Sequence, residues 1–250
     1  MNREEISERL KQNGIPYLND LPEKLEIYLR LLKEWNSRMD LTAVEEEPDM
    51  VDRHFIDSLT VLRTDRIIPD ASLIDVGTGA GFPGMVLAMA RPDLQVTLID
   101  AQMKRLRFLE AVRDAAEIRN TKIIHARAED AALDRKNREQ YDIAAARAVA
   151  PLNVLCEYLL PFVKTGGYAL CWKGPALREE LEAGRRAARL LGGRLEMSVP
   201  CLVAGREWKH MILSVKKTEK TASLYPRKAG IPKSKPLGEQ QQTKRTDMDR

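Results

Sequence analysis

The sequence predicts an α/β fold: a doubly wound, mostly parallel sheet with helices added before it and an antiparallel hairpin closing it. Three observations carry this prediction. From residue 71 onward, short apolar runs of strand type alternate with segments of helical period. Four glycines crowd between the first of those runs and the helix that follows. The last two strand-like runs follow one another with no helix between them.

Taken in order, the elements begin with two amphipathic helices. Ile6, Leu10 and Ile15, then Leu25, Tyr28, Leu29, Leu32 and Trp35, recur at helical spacing, and Pro22 suits the first turn of the second helix. A third helix is predicted over 48–62, where Val51, Phe55, Leu59 and Leu62 share one face. His54 and Asp57 stand beside that face at i, i+3. Such a pair serves structure more often than catalysis. Strands follow at 73–76, 95–99, 122–125, 142–146 and 168–172, with helices near 84–91, 103–116, 152–162 and 175–191. Right-handed β-α-β crossovers then put helices on both faces of a parallel sheet. Residues 194–201 and 208–216 read as a hairpin whose turn contains Gly205, which brings the strand count to seven. The expected organisation is an N-terminal helical extension (1–66), a core (67–217) and a basic, proline-containing tail (218–250).

Composition narrows the setting. A chain of 250 residues, 44% hydrophobic, can bury one substantial core. Cys156, Cys171 and Cys201 are far apart in apolar surroundings and read as reduced core thiols. No stretch has the ~18 apolar residues of a membrane span, and the N-terminus lacks a signal-peptide core. A cytoplasmic protein with no membrane association is expected. No compact His/Cys/Asp cluster has ligand spacing, so no metal is expected either. Charge is uneven: residues 216–250 hold ten Lys and Arg against four Asp and Glu, net +6, which leaves net −2 for the first 215. By composition this stretch reads either as a disordered, solubilising tail or as an arm that binds backbone phosphates.

The glycine cluster is Asp75-Val76-Gly77-Thr78-Gly79-Ala80-Gly81-Phe82-Pro83-Gly84. Glycines there permit positive φ and close approach to a ligand, and the next helix is expected to add its positive N-terminal end. Gly79, Gly81 and Gly84 meet the dinucleotide pattern G-x-G-x-x-G on paper, but this places Pro83 in the opening turn of the helix. The acidic-x-Gly-x-Gly-x-Gly run from Asp75 to Gly81 fits better the loop of S-adenosyl-L-methionine (SAM) methyltransferases, which needs no pyrophosphate cradle. The hairpin agrees, since it marks the seven-stranded, Rossmann-like SAM-dependent methyltransferase sheet and is usually absent from dinucleotide dehydrogenases. Asp100, 23 residues beyond Gly77, can accept both ribose hydroxyls of either cofactor. After the third strand, the loop 126–130 offers Glu129 and backbone groups to an adenine edge. Arg147 and Lys173 emerge at the carboxyl ends of the fourth and fifth strands, and Lys104 and Arg105 open the helix after Asp100. These four cations are the candidate substrate contacts, to phosphates or to a base edge.

The combination of His54-Phe55-Ile56-Asp57-Ser58-Leu59, the loop 75–84, Lys104-Arg105, Arg147-Ala148, Lys173-Gly174 and Tyr225-Pro226-Arg227-Lys228 resembles the bacterial ribosomal RNA small subunit methyltransferase G family, also called glucose-inhibited division protein B. The resemblance runs from about residue 27 to 237. It implies transfer of the SAM methyl group to N7 of one guanine in 16S ribosomal RNA, presented as naked RNA or as a small-subunit particle. It also implies SAM contacts at Gly77, Phe82, Ala128, Glu129 and Arg147, with Gly79 in the same loop and Asp100 on the ribose. Guanine N7 carries a free lone pair, so no general base is needed and no catalytic residue is named. A SAM-dependent methyltransferase with a non-RNA substrate is the alternative. With 5% aromatic residues a broad stacking platform is not expected, and the lack of an exposed apolar seam suggests a monomer.

Overall fold

A computed structural model describes residues 1–239. Seven strands form one sheet: β1 (Ser72–Val76), β2 (Gln95–Asp100), β3 (Thr121–His125), β4 (Tyr141–Arg147), β5 (Val163–Lys173), β6 (Gly193–Pro200) and β7 (Met211–Lys217). Their order is β3-β2-β1-β4-β5-β7-β6. The first five are parallel, and β7 enters antiparallel between β5 and β6. The central strands are apolar on both faces, as a sheet covered by helices requires. One apolar layer joins the N-terminal helices to the helices Gly84–Ala90 and Met103–Ala115. The other lies under Leu152–Leu159 and Leu177–Leu190. Strand order reverses between β1 and β4, so a crevice opens at their carboxyl ends.

The expected N-terminal helices are Arg3–Gln12, started by an Asn2/Glu5 capping box, and Leu21–Asn36. The third is not one regular α-helix. It runs through Glu47–Met50 as α, Val51–Ile56 as π, Asp57–Leu59 as α and Thr60–Arg63 as 3-10. Apolar periodicity alone does not reveal such a change, because the buried face is kept throughout; π turns concentrate at functional sites, and this one carries His54. Two further differences are local. A short helix, Ala128–Leu133, occupies what reads as a loop, and β5 begins five residues earlier than expected, through Gly166 and Gly167.

The larger correction concerns the basic tail. Through residue 239 it is packed rather than dangling. Lys217, counted above among the tail cations, is fully buried; its Nζ donates to Leu160 O at 2.8 Å and lies 3.4 Å from Glu139. Burial pulls its ammonium down to about 8. Arg138 donates to the carbonyls of Thr221, Ala222 and Tyr225, and Arg227 makes an ion pair with the buried Glu157 at 2.6 Å. Asn153 and Arg186 hold the carbonyls of Leu237 and Gly238. Composition failed here because a cation count does not say which cations have buried partners. Residues 240–250, the polar remainder of the tail, lie outside the described residues. Among the described residues no helix is long and apolar enough to cross a membrane. The three cysteines are buried and free, and burial pushes the thiols of Cys171 and Cys201 up to about 12.

Candidate functional site

The glycine loop opens into a cleft of about 530 Å³ at the crevice between β1 and β4. Its four glycines divide by what a side chain would meet. A Cβ at Gly81 would overlap the Tyr28 hydroxyl, and one at Gly84 would come within 2.6 Å of the Asp75 Cβ. These two are required by the protein's own packing. Gly77 and Gly79, at φ +70° and +58°, face the cleft, where a Cβ at Gly77 would meet the Val149 side chain at 3.1 Å and one at Gly79 would meet nothing closer than 3.9 Å. They are required by conformation and keep the cleft floor low for a ligand.

Most of the loop's N–H groups are already engaged. Gly77 and Thr78 donate to Ile99 O, Gly79 to Asp100 Oδ2, and Gly81 and Phe82 to Thr78 O. Gly84 N, the opening donor of the next helix, gives its proton to Asp75 Oδ2 at 2.8 Å. The expected contribution of a free helix N-terminus to the site is therefore corrected: an internal carboxylate occupies it. A pyrophosphate cradle needs those donors free, so the loop suits an uncharged nucleoside portion rather than a dinucleotide. Burial pushes the Asp75 carboxyl up to about 6 despite the bonds from Thr78 and Gly84, and its Oδ1 is buried without a partner.

Around the same cleft stand the other predicted cofactor residues. Asp100 ends β2, with Oδ1 accepting from Gln102 N at 2.8 Å; each oxygen keeps capacity for a ribose hydroxyl. Ala128 and Glu129 line the far end, where Glu129 Oε1 accepts from Gly230 N at 2.9 Å. Phe82 forms the inner wall in an aromatic stack, its ring 4.6 Å from His54 and 5.5 Å from Tyr28.

Arg147 lies where this cleft meets a second cavity of about 400 Å³; both are also lined by His54 and Ala148. Its guanidinium covers the Phe82 ring at 4.9 Å and donates to Arg53 O at 2.5 Å, to Asp57 Oδ2 at 3.4 Å and to His54 Nδ1 at 3.1 Å. A guanidinium can only donate, so Nδ1 accepts and the His54 proton sits on Nε2, which donates to Thr42 Oγ1 at 2.7 Å. Burial, with Arg147 and Arg53 nearby, pulls the imidazole down to about 3. His54 is thus a neutral spacer between the cavities. Asp57 Oδ1 pairs with His210 Nδ1 at 3.0 Å, and the Asp57 carbonyl accepts from Trp172 Nε1. Ala148, at φ +55°, is a non-glycine residue in the left-handed region at the junction itself.

The predicted substrate cations separate. Arg147 reaches both cavities. Lys173 lines the second, but its Nζ is held by Glu180 at 2.6 Å and Ala150 O at 3.0 Å, so it is not a free phosphate ligand. Arg105 sits on the cleft rim, 3.6 Å from Asp100, whereas Lys104 points to solvent. Sequence reasoning missed Thr42, Arg53, Trp172 and His210 in the second cavity, and Arg127 and Lys233 at the first. Only the segment around His54 offered a local signal.

Residues 21–211 match the family model described as rRNA small subunit methyltransferase G. The chain belongs to this family. Among relatives named ribosomal RNA small subunit methyltransferase G, that of Alkaliphilus oremlandii is 45% identical over 84% of this chain and 88% of its own length. That of Clostridium botulinum strain Kyoto is 40% identical over the same shares. Among solved structures, a Haloferax volcanii protein in complex with the Trm112 methyltransferase activator aligns with a TM-score of 0.56, covering 75% of this chain and 98% of that one at 12% identity. Methanococcus jannaschii fibrillarin, a pre-rRNA processing protein, aligns with a TM-score of 0.50 at 16% identity, covering 64% and 74%. At these identities the likeness is one of fold. The cofactor of the rRNA small subunit methyltransferase G family is SAM, and the cleft fits it: an open glycine floor without a phosphate nest, and a carboxylate at the end of β2.

Proposed function

We propose that this chain methylates N7 of a guanine in 16S ribosomal RNA, with SAM in the first cleft and the target base in the second cavity. The observation that carries this reading is the shared wall of the two cavities, formed by Arg147, His54 and Ala148, in a member of the rRNA small subunit methyltransferase G family. Bound SAM supplies an electrophilic methyl group on a sulfonium. The chain's task is to hold the nucleophile in line with that methyl, a positioning effect that reaches ~7–11 kcal/mol in well-oriented systems.

The N7 lone pair of neutral guanine forms the new N–C bond while the S–C bonding pair returns to sulfur, so no proton is abstracted. A guanidinium spanning O6 and N7, the common way to read guanine, would cover the nucleophile. A donor in the second cavity must therefore hold O6 alone and leave N7 facing the first cleft. Arg53 stands on the side away from the glycine loop, whereas Lys173 is held by Glu180 and Ala150 O and Arg147 is tied to His54 and Asp57. Arg147 and His54 act here as positioning residues in the wall that the two cavities share. A ribosomal substrate supports a cytoplasmic reaction.

Transfer of tritium from methyl-labelled SAM to 16S RNA, offered naked and as small-subunit particles, tests the reading when followed by identification of the labelled base. Label in 7-methylguanine is expected. Absence of label in RNA from either substrate would remove an RNA target and return attention to a non-RNA acceptor.

A further inference from the structure

The segment after β7 starts at the end of the sheet opposite the carboxyl ends of the parallel strands and passes the helix Leu152–Leu159 to reach the cofactor cleft, where Gly230 and Lys233 form part of its lining. This course is heavily anchored. Arg227 donates to Glu157 through N, Nε and Nη2 at 2.6–3.2 Å, and Glu157 is fully buried. Gly230, at φ +84°, turns the chain so that its N–H reaches Glu129 Oε1 at 2.9 Å. Beyond it, the short helix Ile231–Ser234 carries Lys233 to the cleft, and Asn153 fixes the carbonyl of Leu237.

Resting on the reading of the first cleft as the SAM site, we infer that this strap completes that site as the outer wall of its adenine end. The path of the cleft supports the assignment. It runs from the glycine loop after β1, past Asp100 at the end of β2, to Glu129 just after β3. A nucleoside whose ribose meets Asp100 extends its base toward Glu129, where the strap lies. The strap's contribution is twofold: the Gly230 N–H fixes one oxygen of Glu129 and leaves the other for the base, and Lys233 brings a donor that can meet a ring nitrogen. Strap docking and SAM binding are then linked, and each must strengthen the other by the same factor.

The test uses the full chain without RNA. SAM affinity is measured by titration calorimetry for the parent, Glu157→Gln and Lys233→Ala, and trypsin cleavage after Lys228 and Lys233 is timed with and without SAM. Loss of the Arg227 anchor is expected to weaken SAM binding about tenfold, and loss of the Lys233 donor about threefold to fivefold, corresponding to one or two hydrogen bonds. In the parent, saturating SAM is expected to slow cleavage within the strap. Should Glu157→Gln fail to fold, Arg227→Gln removes the same ion pair from its half-buried side. Affinities within twofold of the parent in the anchor and Lys233 variants, or cleavage indifferent to SAM, would overturn the inference while leaving the SAM site standing. A parent chain that binds no SAM would instead overturn the cofactor reading on which it rests.

Discussion

The Nδ1 atom of His54 accepts a hydrogen bond from the Arg147 guanidinium at 3.1 Å, across 93 residues of sequence, and this contact joins the helical segment 47–63 to the end of β4. It fixes a neutral imidazole beside a cation, which is stable only while the imidazole stays unprotonated. Removing the cation exposes the arrangement. Arg147→Met should cost about 3 kcal/mol, because the buried Asp57 carboxylate loses its guanidinium and keeps the His210 ring as its side-chain partner. Denaturant titration measures the loss; methyl transfer should fall further than SAM affinity, since the wall that the cavities share is disturbed.

The same contact gives a pH signature. The folded-state pKa of His54 is pulled down to about 3 from an ordinary 6.5, so between those values the unfolded chain binds more protons than the native one. The contribution is fully present above pH 6.5 and is lost as pH falls toward 3. His54→Gln, which keeps an acceptor for Arg147, should show a shallower fall in stability than the parent over that interval. Parallel pH–stability curves for the two proteins would contradict the assignment.

Gly77→Asp and Gly81→Ala should fail in different ways. The first places a carboxylate on the cleft floor and should abolish SAM binding in calorimetry with the fold retained. The second drives a methyl group into Tyr28 and Leu109 at φ +94°, and should cost about 2–4 kcal/mol of stability. Adding Tyr28→Phe should recover part of that loss, making the pair non-additive.

Salt dependence distinguishes free cations from engaged ones. Lys104 and Lys228 are exposed, so the double change to Gln should reduce the slope of log affinity for ribosomal RNA against log salt by about 1.5. Lys173→Gln should leave that slope unchanged, because its ammonium is already neutralised by Glu180. Filter binding across a salt series reads both.

Much of the sheet was legible in the sequence because its signals are local. The strands and the helices between them declare themselves by period, and the loop from Asp75 to Gly84 by its glycines. The second cavity was not legible. Thr42, Arg53, Asp57, Trp172 and His210 come from four separate stretches of chain, and nothing in the sequence near His210 announces a carboxylate partner 153 residues earlier. The helix Ala128–Leu133 escaped notice because six residues leave little room for a helical period. The packing of the strap was not legible for a different reason: its prolines and cations have the composition of a disordered tail, while Glu157 and Glu129, which anchor it, lie 70 and 101 residues upstream of their partners.

The course of the strap also has a consequence for biosynthesis. A chain grown from its N-terminus has all seven strands once Lys217 is made, yet the wall that includes Gly230 and Lys233 comes with residues added afterward. A nascent chain or premature-stop product ending just past the sheet would carry the glycine loop without that wall, its buried Glu157 lacking the Arg227 partner. On the strap inference, ligand capture is a late event in the maturation of the polypeptide, waiting on residues made after the sheet.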